Sequence, residues 1–363
     1  MKNFFIKKSM IYVLLGFLFA SQSIFAGETK VAGEIWTRYT LSSVTNFSKH
    51  NIKQNSSEIA RGYLTFQPKL SDMMSGRFTI DVISAYNGKP AFLKYAYLTW
   101  QTPVPDLFVD IGLAKNMFGM LHTWDYTVIE KDLVDRLGYL ASADMGVQIY
   151  GFIPMGFGNY SIGMSHGEGY KKDNDAKNSL FPAYMADLNL IPLPGVSIGG
   201  SYLYDYVGSG GITNKIGKTH KYLMTAYVKL SGFNFVTLYG QYLQREQRTA
   251  TNTSVAPVGQ PKMNEHYMTM LVLNFYSLLE QQLELIGKVD YDKSTEESLK
   301  KGKPDGKILV TAGINYTFDA AKIQLNYTQQ MSEVLDPKKS GYFATTHQID
   351  LQLVWKFSSK IVD

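Results

Sequence analysis

The 363-residue chain has no cysteine. A disulfide framework, a thiolate nucleophile and a zinc-thiolate site are thereby excluded. Long apolar runs are also missing behind the first 26 residues. No later stretch approaches the roughly 18 apolar residues of a spanning helix, which argues against a helical membrane anchor there. Arginine is scarce, with six among 36 basic residues. Net charge is slight as well: the formal +5 drops to +2 without the three lysines among residues 1–26, because no acidic residue lies among them. So small a balance argues against a nucleic-acid partner. No internal repeat is visible, and a β-solenoid would show one.

What the first residues do contain is an export pattern. Lys2, Lys7 and Lys8 form a basic start, residues 10–20 are largely apolar, and Ser23-Ile24-Phe25-Ala26 ends on a small residue suited to cleavage. A signal peptide over 1–26 is expected, with one domain over 27–363.

The chain as a whole is rich in aromatics, with 25 Tyr and 20 Phe, yet its mean hydropathy is only -0.13. Half-apolar strands flanked by aromatic girdles would reconcile the two. The C-terminal third shows such strands. Leu283, Leu285, Gly287, Val289 and Tyr291 alternate with Glu284, Lys288, Asp290 and Asp292. Three further segments, near 310–318, 323–328 and 348–357, read the same way, with only Val354 out of pattern in the last. Noisier segments fall near 31–42, 58–69, 76–86, 92–101, 106–115, 143–153, 157–166, 180–191, 195–207, 219–231, 233–244 and 263–276. With 282–292, the total is about sixteen. Short turns such as Thr102-Pro103-Val104-Pro105 and Pro192-Leu193-Pro194 alternate with long polar connections over 43–57, 167–179, 245–262 and 293–307. The expectation is an all-β fold, a closed antiparallel transmembrane β-barrel of about 16 strands with both termini in the periplasm. A tandem β-sandwich would have no reason for strict long-short alternation.

The longest connection, 116–142, has internal order. Thr127-Val128-Ile129-Glu130 has capping-box spacing, Ile129, Leu133 and Leu137 follow at helical intervals, and Gly138 can end the helix. A helix over 128–137 is expected. Its apolar stripe, with Met117-Phe118-Gly119-Met120-Leu121 before it, predicts an inward-folded constriction loop packed on the barrel wall.

Three stretches then resemble the phosphate-selective porin O and P family of outer-membrane porins. The first is Glu58-Ile59-Ala60-Arg61-Gly62-Tyr63-Leu64 leading to Leu70-Ser71-Asp72. The second is Leu93-Lys94-Tyr95-Ala96-Tyr97-Leu98 leading to Gly112-Leu113-Ala114-Lys115-Asn116-Met117-Phe118-Gly119. The third is Ile129-Glu130-Lys131-Asp132-Leu133-Val134 followed by Gly146-Val147-Gln148. The likeness is best over 31–153. It implies a sixteen-stranded, usually trimeric anion channel with basic side chains at its constriction. Met117 stands where the family commonly has proline, Lys131 where it has arginine, and Phe357 is followed by six further residues. With so few guanidinium groups for bidentate phosphate capture, the resemblance implies a porin more firmly than it implies phosphate.

The functional expectation is an outer-membrane diffusion porin for small hydrophilic solutes, with anion or phosphate preference as its finer form. It has no enzymatic activity, cofactor or metal, and its partners are outer-membrane lipid and two further copies in a homotrimer. Anion preference needs basic groups where the lumen narrows. Parity puts Arg38, Arg61 and Arg77 on the lumen face, Lys115 at a strand end, and Lys131 and Arg136 on the loop helix. The bland alternative is that Lys131 with Asp135, and Asp132 with Arg136, merely stabilise a solvated helix as i,i+4 pairs. Glu34, Asp81, Asp110, Asp290 and Asp350 on lumen positions would dilute a positive field. The alternative functions are a plugged structural or adhesive barrel and, third, a barrel hydrolase. Against the hydrolase, the six histidines lack metal-ligand spacing, and Ser165 and His166, adjacent in a strand, point to opposite faces.

Overall fold

The computed structural model describes residues 28–361, apart from 47–48, 83–90, 125–128, 130–131, 168, 171–181, 210–216, 234, 251–261, 280–281, 294–305 and 337–338. The expected export segment and Lys131 lie outside the described residues.

Sixteen antiparallel strands close into one barrel. They are β1 (Thr29–Asn46), β2 (Lys49–Pro68), β3 (Met74–Asp81), β4 (Phe92–Gln101), β5 (Leu107–Lys115), β6 (Ala143–Ile153), β7 (Gly158–Ser165) and β8 (Ala183–Leu193). The second half comprises β9 (Val196–Ser209), β10 (Gly217–Phe233), β11 (Val236–Ala250), β12 (Lys262–Asn274), β13 (Leu283–Lys293), β14 (Gly306–Phe318), β15 (Ala321–Asp336) and β16 (Lys339–Ile361). Each strand pairs with its sequence neighbours, and β1 closes on β16 from Thr29↔Ile361 to Thr45↔Thr345. Closure leaves no sheet edge, which is what a β-structure in lipid requires.

The alternation expected from sequence holds. Ile349, Leu351, Leu353, Trp355 and Phe357 of β16 are exposed, while Asp350, Gln352 and Val354 between them are buried. In β15 Ile323, Leu325 and Tyr327 face outward and Gln324, Asn326 and Thr328 inward. The apolar outer belt is thus built one strand at a time by the two-residue side-chain period.

Two expectations are corrected. Residues 43–57 are not an open loop: β1 and β2 stay paired as far as Asn46↔Lys49, with register shifts at Trp36/Thr37 and Ser42/Ser43. Backbone pairing in water needs no apolar face, so the strands continue where the hydropathy signal stops. Likewise β11 runs to Ala250 through part of the expected connection over 245–262. The second correction concerns the helix in 116–142. It is one turn, α1 (Leu133–Arg136), with Asp132 as its N-cap, and the Thr127–Glu130 capping pair lies outside the described residues. A second one-turn helix, α2 (Tyr276–Leu279), occupies the β12–β13 connection.

Candidate pore constriction

The connection 116–142 is closed at its base, where Asn116 N donates to Ser142 O at 3.0 Å and Asn116 Nδ2 to Ala141 O at 2.8 Å. At Gly119 the chain takes φ +55°, and its amide donates to Ser201 Oγ at 2.6 Å. Ser201 in turn donates to Asp187 at 2.5 Å. A Cβ at residue 119 would stand 2.7 Å from Thr225 Cγ2, so glycine is required for both conformation and space. Phe118, Met120, Leu133, Val134 and Leu140 then pack with Met185, Leu203, Leu223, Leu243 and Met268 of β8 to β12 into one buried cluster. Each such side chain removed from water contributes about 1.5–3 kcal/mol. That packing, rather than length, holds α1, since an isolated turn of helix is unstable.

Polar groups fix the ends of α1. Asp132 accepts from the amides of Val134 and Asp135 at 3.2 and 3.1 Å. Burial, reinforced by Asp135, pushes the Asp132 carboxyl up to about 6 against those two amide bonds. Gly138 at φ +63° turns the chain, and Tyr139 N closes on Val134 O at 3.1 Å. Arg136 then reaches β13, where its two terminal nitrogens donate to Asp292 at 3.0 and 2.7 Å and its Nε lies 3.9 Å from Asp290. His266 bridges Asp292 and the Tyr139 hydroxyl, each at 2.8 Å. Lys221 Nζ donates to Tyr139 O at 2.6 Å. Near the loop base, burial and the neighbouring Lys115 charge lower the His122 imidazole to about 4, so it is neutral at physiological pH.

The other wall is basic. Arg61 of β2 lies 4.6 Å over the Trp36 ring, Arg77 of β3 lies 4.5 Å over Tyr95, and Lys94 of β4 lies 4.1 Å over Tyr63. These six side chains, with Lys30 and Glu34, line an open cavity of about 790 Å³. Tyr170, after β7, has its phenol pKa raised by burial, with Asp81 and Asp135 adding to this and Arg61 opposing it.

The sequence candidates therefore separate. Arg61 and Arg77 share the cavity wall. Arg38 is on the same sheet face as Trp36 and donates to Gln352 Oε1 through Nε and a terminal nitrogen at 3.0 and 2.8 Å. Lys115 is the half-buried last residue of β5, and its carbonyl accepts from Gln148 Nε2 at 2.6 Å. Arg136 makes a bidentate contact with Asp292 and Asp132 caps the helix, so this pair from the bland alternative has these other roles. Lys94 was missed, and Lys288, placed on the polar face of its strand, was not among the selectivity candidates. Lys94 falls at a register shift between β3 and β4 that breaks the period of two, and buried Lys288 is neutralised by Asp290 at 2.8 Å. Only the basic charge itself, at a position between outward-facing Leu93 and half-buried Tyr95, could have flagged Lys94.

Among solved structures, the anion-selective porin from Comamonas acidovorans matches with a TM-score of 0.61 at 11% identity, over 91% of this chain and 99% of the porin. The chain has the porin fold. The outer membrane channel DcaP of Acinetobacter baumannii is as similar, with a TM-score of 0.60 at 11% identity over 92% and 98% of the two chains. OmpT of Vibrio cholerae in its trimer form gives 0.57 at 12% over 90% and 99%. The closed barrel and its apolar belt place the protein in the bacterial outer membrane. No family model and no curated protein matches the sequence, so the resemblance to the phosphate-selective porins O and P rests on its motifs.

Proposed function

We propose that this chain is a non-enzymatic diffusion porin that passes small hydrophilic solutes and prefers anions, with phosphate a candidate among them. The observation that carries this reading is the gathering of Arg61, Arg77 and Lys94 along one open cavity, with the loop packed against the opposite strands. We read that loop as an inward-folded constriction. Charge of one sign beside a narrowing focuses the field and raises local counter-ion concentration. Residues 1–26 serve as the export signal, both termini face the periplasm, and the protein assembles as a homotrimer, as the Vibrio cholerae neighbour does.

In a planar bilayer under a KCl gradient, the purified protein is expected to give stable conductance in multiple levels and a reversal potential favouring chloride. Substituting R61Q and R77Q moves that potential toward cations. Lys115 and Lys131 are tested by K115E with K131E, which moves it further if they too face the narrowing. A cation-favouring wild-type channel sinks the reading. The buried apolar cluster against the loop favours one alternative, a plugged structural barrel, and that would conduct little.

A further inference from the structure

Three of the five cations that line the cavity, Arg61, Arg77 and Lys94, lie over aromatic rings, while Lys30 and Lys356 also line it, and this arrangement is chemically narrower than a generic positive patch. A guanidinium stacked over a ring has one face covered. Its in-plane N–H fork and its second face stay geometrically suited to a planar partner. Arg61 over Trp36 and Arg77 over Tyr95 supply two guanidinium groups, and Lys94, between Tyr63 and Tyr95 at 4.1 and 5.3 Å, adds an amine nitrogen. Arg77 is oriented from its inner end, where Nε donates to Thr79 Oγ1 at 3.3 Å. Thr79 is itself buried and bonded to Thr65 at 2.9 Å. Glu34 lines the same cavity, and Asp81 is close enough to act on Lys94, so these carboxylates offset part of the positive charge.

Building on the anion-porin reading, we propose that the Arg61, Arg77 and Lys94 wall is a binding subsite for planar organic monocarboxylates in transit. The carboxylate meets a guanidinium fork edge-on with two parallel hydrogen bonds. Its ring stacks on the tyrosine and guanidinium faces, where inorganic phosphate has nothing to place. Phosphate, partly dianionic at neutral pH, is also repelled more strongly by Glu34 and Asp81. The cavity of about 790 Å³ is large enough for a single-ring solute with its water.

Benzoate, acetate and inorganic phosphate, each titrated against chloride conductance of the full-length protein in a planar bilayer, test the subsite. Benzoate is expected to half-block the current at a concentration at least tenfold below either of the others. With R61K and R77K together, which keep the charge and remove the forks, the benzoate midpoint rises about tenfold, the change equivalent to 1.4 kcal/mol. Equal potency of benzoate and acetate overturns the proposal, as does stronger block by phosphate. Block undiminished in the lysine variant overturns it too. The wild-type comparison needs no variant to fold. A chloride-favouring reversal potential without preferential benzoate block defeats this inference alone, whereas a cation-favouring potential defeats the reading beneath it.

Discussion

Replacing Arg136 by glutamine should release the 116–142 segment without unfolding the barrel. Arg136 holds Asp292 through two hydrogen bonds of 3.0 and 2.7 Å, and both side chains are largely hidden from water, at 9% and 13% exposure. Removing one partner of such a pair costs about 3–5 kcal/mol, because the other charge is left behind. Here the loss falls at the lower end, since His266 still donates to Asp292 and Lys288 still neutralises Asp290. A loss of about 3 kcal/mol multiplies the population of released loop by roughly two powers of ten. The sixteen-strand ladder is untouched, so the heat-induced unfolding transition of the barrel stays within a few degrees. Single-channel recording reads the consequence directly: R136Q should show frequent sub-millisecond to millisecond current fluctuations that the wild type lacks. The double variant R136Q with D292N should be quieter than R136Q, because no carboxylate is stranded. A quiet R136Q trace, or a double variant noisier than the single one, would refute the reasoning.

The barrel was legible because lipid imposes a rule on every second residue. Ile349, Leu351, Leu353, Trp355 and Phe357 must be apolar whatever the lumen holds, so parity alone separates them from Asp350 and Gln352. The rule stops at the membrane surface. From Ser43 to Asn46 and from Lys49 to Ser57 the strands continue on backbone pairing without an apolar face to mark them in the sequence. The turn of α1 was only half legible. Gly138 marks its end in the sequence, but its start depends on Asp132 reaching the Val134 and Asp135 amides, an option that competes with Thr127 in any linear reading.

The site was less legible than the fold, for a reason that its partners make plain. Arg136 and Asp292 lie 156 positions apart, and Arg38 and Gln352 lie 314 apart. Barrel closure, not local pattern, decides which charges meet. Parity could place Arg61 and Arg77 in the lumen, but not say that each would lie on a ring from a neighbouring strand. The same closure divides the basic residues into two kinds. Arg136 and Lys221 tie the loop to strand carboxylates, with Lys288 paired to Asp290 beside them, while Arg61, Arg77 and Lys94 lie over rings along the cavity. A count of charges treats all six alike, although their effects on a passing ion differ.

Two further outcomes bear on the loop. G119A should destabilise it by about 1–3 kcal/mol, since alanine must adopt φ +55° with its Cβ 2.7 Å from Thr225 Cγ2; hydrogen exchange of the 116–124 amides should speed up, and unchanged protection would count against the glycine argument. The last concerns Asp132, whose carboxyl is raised to about 6 by burial. A carboxyl with a folded pKa above its free value near 4 favours the fold in its neutral form, so this contribution is complete below about 4 and fades as pH rises through 6. Loop protection, corrected for intrinsic exchange, should therefore fall between about pH 4 and 7. D132N keeps an oxygen to accept from Val134 and Asp135 and cannot titrate, so its protection should be flat across that window while the α1 cap persists. A wild-type profile that rises with pH, or an asparagine variant with the same slope, would show that Asp132 is not the titrating group.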